Sequence, residues 1–96
     1  MRRRYLYCYD ITDPKRLRQV HKITSGSGDR VQLSVYECQL TETEQVHLDE
    51  RLKQAMHLKE DRLLIVDLGA VSSSQEPRYR TMGVPWEPMD REIIVI

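Results

Sequence analysis

Arg30-Val31-Gln32-Leu33-Ser34-Val35-Tyr36-Glu37-Cys38-Gln39-Leu40 is an extended, apolar-rich stretch that changes face in its middle. Val31, Leu33 and Val35 alternate on one parity, whereas Tyr36, Cys38 and Leu40 alternate on the other. Side chains of a strand repeat every two residues, so a regular strand cannot swap faces without a bulge or a break. The stretch therefore reads as two short strands or one strongly bent strand, with the break near residues 34–36. The periodicity leaves a bulged strand and a hairpin both open.

Upstream of it, Ser25-Gly26-Ser27-Gly28 is too flexible to continue a helix, and it ends one. That helix starts at Asp13-Pro14, where the carboxylate can accept from exposed N–H groups and proline sacrifices no internal bond. Leu17, Val20 and Ile23 form its apolar stripe, and Lys15, Arg16, Arg18 and Lys22 occupy the rest. Before it, residues 4–10 read as a strand with Tyr5, Tyr7 and Tyr9 on one side and Leu6, Cys8 and Asp10 on the other. Downstream, Thr41-Glu42-Thr43-Glu44 has the pattern of a capping box and opens a second helix. Its core face is Leu48, Leu52, Ala55 and Met56. Residues 62–68 and 92–96 are apolar strands, with a short strand expected at 79–82 between them.

The element order is strand, helix, split strand, helix, strand, strand. It predicts a single α+β domain over residues 1–96, a ferredoxin-like βαββαβ sandwich with an appended C-terminal strand. Two helices cover one face of such a sheet, yet Leu63-Leu64-Ile65-Val66 and Ile93-Ile94-Val95-Ile96 are apolar on both faces. The three tyrosines also need a place to pack. A second copy of the chain would bury the other face, so a homodimer is expected, with residues 92–96 pairing with the partner subunit.

Composition narrows the function classes. Ninety-six residues hold 15 Lys plus Arg and 15 Asp plus Glu, a net charge of zero, which excludes a globally basic nucleic-acid binder. The charge is uneven, however: residues 2–30 are basic on balance and residues 37–61 acidic. The longest apolar runs are four residues, far short of the roughly 20 needed to cross a bilayer. No apolar segment follows Arg2-Arg3-Arg4, so no secretory signal is read and a cytoplasmic location is expected. Cys8 and Cys38 read as reduced thiols, and the three histidines show no zinc spacing.

Three segments together resemble the CRISPR-associated Cas-two family. They are Tyr9-Asp10-Ile11-Thr12-Asp13-Pro14-Lys15-Arg16-Leu17-Arg18, the stretch Gly28-Asp29-Arg30-Val31-Gln32-Leu33-Ser34-Val35-Tyr36-Glu37-Cys38, and Met82-Gly83-Val84-Pro85 before the terminal strand. Tyr36 stands where that family usually has Phe. Ser25 and Ser27 stand where bulkier residues are more common. The resemblance implies a ferredoxin-like homodimer that acts in spacer acquisition, bridging copies of the CRISPR integrase and holding duplex DNA. It also implies a magnesium-dependent nuclease, on single-stranded RNA or on DNA, as the other reading. VapD-like toxin ribonucleases share the fold and the leading aspartate and form the alternative; residues 30–38 favour the CRISPR family.

The residues can be weighed beside the resemblance. Magnesium takes oxygen ligands and keeps several waters, so few carboxylates suffice. One chain offers Asp10, and a two-fold dimer offers two copies that could share one ion. On the residues alone, Asp10 reads first as a turn residue before Asp13 that satisfies backbone donors, and it is the resemblance that favours the metal site. Asp13 reads as the helix cap. Arg16, Arg18 and Arg30 are candidates for phosphate contact, or are simply solvated. Tyr9 and Tyr36 are read as orienting the site or facing the partner subunit. Arg2, Arg3 and Arg4 form either a phosphate-binding arm or a solubilising end. Arg78, Arg80 and Trp86 could touch nucleic acid or a partner.

Overall fold

Alternation along the first strand decides how everything else is layered. The computed structural model describes residues 1–71, 80, 82 and 83. Six elements follow one another: β1 (Arg3–Asp10), α1 (Pro14–Ser25), β2 (Asp29–Gln32), β3 (Val35–Leu40), α2 (Glu42–Ala55) and β4 (Arg62–Ala70). The strands form one antiparallel sheet in the order β2-β3-β1-β4. This is the ferredoxin-like α+β arrangement expected from the pattern. The expected strands at 79–82 and 92–96 fall on residues that lie wholly or largely outside the described ones.

The face change in the middle chain segment is a hairpin. β2 ends at Gln32, β3 begins at Val35, and Leu33-Ser34 turns between them. Ser34 has φ 66°, a left-handed conformation that lets the chain reverse in so few residues. The ladder also slips by one residue between Arg30 and Gln32, so Val31 is the extra residue. The slip brings Arg30 opposite Tyr36. The turn is tied back to the first strand by the Tyr9 N–H, which donates to the Ser34 carbonyl at 3.1 Å.

Both helices start where the sequence predicts. Asp13 caps α1, accepting from the Arg16 N–H at 2.9 Å. At α2 the Thr41 hydroxyl accepts from the Glu44 N–H, and the Glu44 carboxylate accepts from the Thr41 N–H at 2.8 Å. The core is built from Val20 and Ile23 of α1, Leu48 and Leu52 of α2, and the inward sheet residues.

Those inward residues are the tyrosines. Tyr5, Tyr7 and Tyr9 are buried beneath the helices together with Tyr36, Cys38 and Leu40. The expectation that the tyrosines or Tyr36 face a partner subunit is thus corrected: they occupy the helix-covered side. Phenylalanine is absent from the chain, and each buried ring brings a hydroxyl that must find a partner. Tyr5 donates to Gln45 Oε1 at 3.0 Å and Tyr7 to Asp49 Oδ1 at 2.6 Å, both on α2. Tyr9 and Tyr36 turn instead to α1, where His21 Nδ1 lies 3.3 Å and 2.7 Å from their hydroxyls. Burial raises the Tyr7 phenol well above its ordinary range, and pushes Tyr36 up to about 12.

Two outcomes follow for stability. Gly28 sits where a β-carbon would meet Cys38 Sγ and the Glu37 carbonyl oxygen, each at 2.5 Å. Gly28→Ala should therefore cost about 1–3 kcal/mol, the usual range for overpacking, read as a lower urea midpoint. The second concerns His21, whose pKa is lowered by burial and by the nearby Arg30 cation. An unfolded histidine takes its proton near pH 6.5, and the native one takes it only at lower pH. Stability should be complete above that value and decline as pH falls through the interval between the two. His21→Gln should flatten this decline in urea titrations run between about pH 8 and pH 5.

Candidate functional site

Because the tyrosines point inward, the other parity of β1 points away from the helices. Arg4, Leu6, Cys8 and Asp10 lie on this second face. Their neighbours on β4 are Gly69, Val66, Leu64 and Arg62, and on β3 they include Glu37 and Val35. Leu64 is 62% exposed. An ion pair of 2.8 Å joins Arg4 and Glu37 within this face.

Asp10 is the last residue of β1 and is exposed. It lines an open cleft with Cys8, Tyr9, Arg62, Leu63 and Leu64. Asp10 and Arg62 are direct cross-strand partners and so share a face. Among the described residues neither side chain makes a hydrogen bond or an ion pair. The reading of Asp10 as a residue that ties down the following turn thus finds no hydrogen bond there. An exposed, uncommitted carboxylate is a hard oxygen donor of the kind magnesium accepts. No group of three His, Cys, Asp or Glu side chains suited to a metal is present among the described residues, so Asp10 has no companion ligands among them. Cys8, in the same cleft, is partly buried, and that burial raises its thiol pKa.

The candidate arginines are dispersed. Arg30 is only 8% exposed and lies on the inner side, opposite Tyr36. The phosphate contact expected of it is thereby corrected, because the ladder slip places it under α1. Its Nε has no hydrogen-bond partner, and its charge acts on Tyr9, His21 and Tyr36. Arg16 closes on the chain's own acids. Its Nε donates to Asp61 Oδ2 at 2.9 Å and its Nη2 to Glu60 Oε2 at 3.0 Å. The Asp61 side chain is fully buried. Arg16 and the backbone N–H of His57 hold its carboxyl below the usual carboxylate range. Arg16 therefore fastens the segment between α2 and β4 to the start of α1.

The N-terminal arginines are paired too. Arg2 meets Glu44 at 2.6 Å, Arg3 meets Asp67 at 2.9 Å, and Arg4 meets Glu37. They are neither a loose arm nor merely a solubilising end. Arg18 differs, being exposed and without an acid partner among the described residues.

Lys15 and Lys22 share that condition, and the spacing 15, 18, 22 places all three on one helical stripe. At about 1.5 Å rise per residue the stripe is about 10 Å long. The two lysines are not among the candidates named from the sequence, although their spacing is visible in it. Arg62 is absent from those candidates for a different reason, since only the β1–β4 register brings it to Asp10. Of the late residues, Arg80 is exposed, and Arg78 and Trp86 lie outside the described ones.

Comparison with known proteins agrees with this layout. The family model described as CRISPR associated protein Cas2 matches residues 2–75. A Rhodospirillum rubrum protein named CRISPR-associated endoribonuclease Cas2 1 is 34% identical, over 96% of this chain and 89% of its own. A Thermus thermophilus protein named CRISPR-associated endonuclease Cas2 2 is 35% identical, over 99% and 98%. Among solved structures, Streptococcus pyogenes Cas2 superposes with a TM-score of 0.70 at 34% identity, covering 83% of this chain and 99% of that one. A hypothetical protein from Thermus thermophilus gives 0.76 at 30% identity, covering 93% and 100%. Matched by the family model over residues 2–75 and by relatives along nearly its whole length, the chain belongs to the CRISPR associated protein Cas2 family.

Proposed function

We propose that the protein is a CRISPR adaptation factor, a homodimer that works with the CRISPR integrase during spacer acquisition and holds duplex DNA through backbone contacts. The observation that carries this reading is the stripe of Lys15, Arg18 and Lys22. Four other arginines are spent on internal carboxylates, whereas these three cations face solvent in a row. Such a row attracts phosphates regardless of base sequence. The dimer reading is supported by the sheet face that no described helix covers, where Leu6, Cys8, Val35, Leu64 and Val66 line up. None of the described helices is long and apolar enough to cross a membrane.

A second reading is favoured by the uncommitted Asp10 carboxylate and by the names of the relatives. In it the protein is also a magnesium-dependent endonuclease, with single-stranded RNA as the first substrate to test. Two-fold symmetry would bring two copies of Asp10 to one ion. When bound, magnesium would polarise a phosphoryl oxygen and lower the pKa of a bound water. The protein's part is to hold the ion through Asp10 and to keep the cleft open to a strand.

Two experiments test these readings. Replacing Lys15, Arg18 and Lys22 together by Gln should weaken duplex DNA binding. It should also flatten the plot of log affinity against log salt by about 0.9 for each phosphate that the variant no longer neutralises. An unchanged slope would remove the stripe from the interface. Asp10→Ala should abolish magnesium-dependent cleavage of single-stranded RNA while remaining a dimer by light scattering. Leu64→Glu should yield monomers that do not cleave. A monomeric wild type would overturn the dimer, and chelator-insensitive cleavage would overturn the nuclease.

A further inference from the structure

We propose that Arg62 is the phosphate-binding residue of the Asp10 cleft, a positioning residue that seats a nucleic-acid phosphodiester beside the carboxylate. The inference deepens the nuclease reading and rests on it for its purpose, though not for its binding test.

Three observations lead to it. The β1–β4 register sets Arg62 directly across from Asp10, on the face away from the helices. Both side chains line the same open cleft. Neither closes on the other or on another described residue. The last point separates Arg62 from Arg2, Arg3, Arg4 and Arg16, each of which meets a carboxylate within 3 Å.

Charge explains why such a residue is needed. A phosphodiester carries one negative charge and so does Asp10, so a strand entering a cleft that held Asp10 alone would be repelled. Arg62 brings the local charge of the cleft to zero. Its guanidinium presents paired donors that match two phosphate oxygens. The residue recognises only the backbone, so base sequence should not matter. Lys15, Arg18 and Lys22 lie on α1, on the opposite side of the sheet, and are left intact in the test below.

The test separates this proposal from the nuclease reading by measuring binding without metal. Full-length wild type, Arg62→Gln, Arg62→Lys and Asp10→Asn are titrated into a fluorescein-labelled single-stranded RNA in EDTA, across a salt series. Thermal unfolding confirms that each variant is folded. Arg62→Gln should bind about 5- to 10-fold more weakly, with a salt slope smaller by about 0.7, the value for one contact to a single strand. Arg62→Lys should restore the slope, and most but not all of the affinity. Asp10→Asn should bind more tightly than wild type because the repulsion is gone. Cleavage of the same RNA in magnesium then tests the other reading. If wild type binds as predicted but never cleaves, the nuclease reading fails and Arg62 stands as a binding residue. If Arg62→Gln matches wild type in affinity and slope, or if wild type binds no RNA in EDTA, the assignment of Arg62 is overturned whatever the cleavage assay gives.

Discussion

Period-two alternation along β1 is the constraint on which the rest depends. The strand sits inside the sheet between β3 and β4, so each residue has one of two destinations. Once Tyr5, Tyr7 and Tyr9 enter the core, Leu6, Cys8 and Asp10 must leave it. A one-residue slip would bury an aspartate among aliphatic side chains and push three aromatic rings into water. Both consequences are costly, so the position of the candidate site is held by the same packing that holds the fold.

Charge pairing then sorts the basic residues. The chain is neutral overall, yet its arginines are not equivalent. Those at the N-terminus and at the start of α1 are bound to carboxylates drawn from β3, α2, β4 and the segment before β4. The exposed pairs, Arg2–Glu44 and Arg3–Asp67, add little stability individually. Their larger effect is on function, because they remove cations from the surface and leave a few that can meet a ligand. Arg30 goes further, entering the interior beside three hydrogen-bonding rings. A buried guanidinium with an unpartnered Nε is an uncomfortable arrangement, and it favours the neutral form of His21.

Much of this was legible in the sequence, for local reasons. Helix caps are short-range, so Asp13 and the Thr41–Glu44 box could be read directly. The element order gave away the fold class, and the face change at residues 34–36 marked the turn. What could not be read depended on register. Either parity of β1 is apolar enough to be the core side, so the inward direction of the tyrosines was invisible until the helices offered hydroxyl acceptors. Arg30 is buried because of a single slipped residue at Val31. The Arg16–Asp61 contact spans 45 positions, and no local pattern announces it. Arg62 entered the site in the same way, through pairing between strands distant in the chain.

The tyrosine hydroxyls have one more consequence. Apolar packing fixes the seat of a helix on a sheet by shape alone, whereas hydrogen bonds add a direction and a partner. Here α2 is pinned to β1 at two points, Gln45 and Asp49, which are about one helical turn apart. Displacing α2 by a turn toward either end would strand one ring's hydroxyl and one acceptor. The contact is thereby indexed like teeth on a rack: helix and sheet move together or separate altogether. Strain arriving at one edge of the sheet would be carried across the body of the protein instead of being absorbed by slippage.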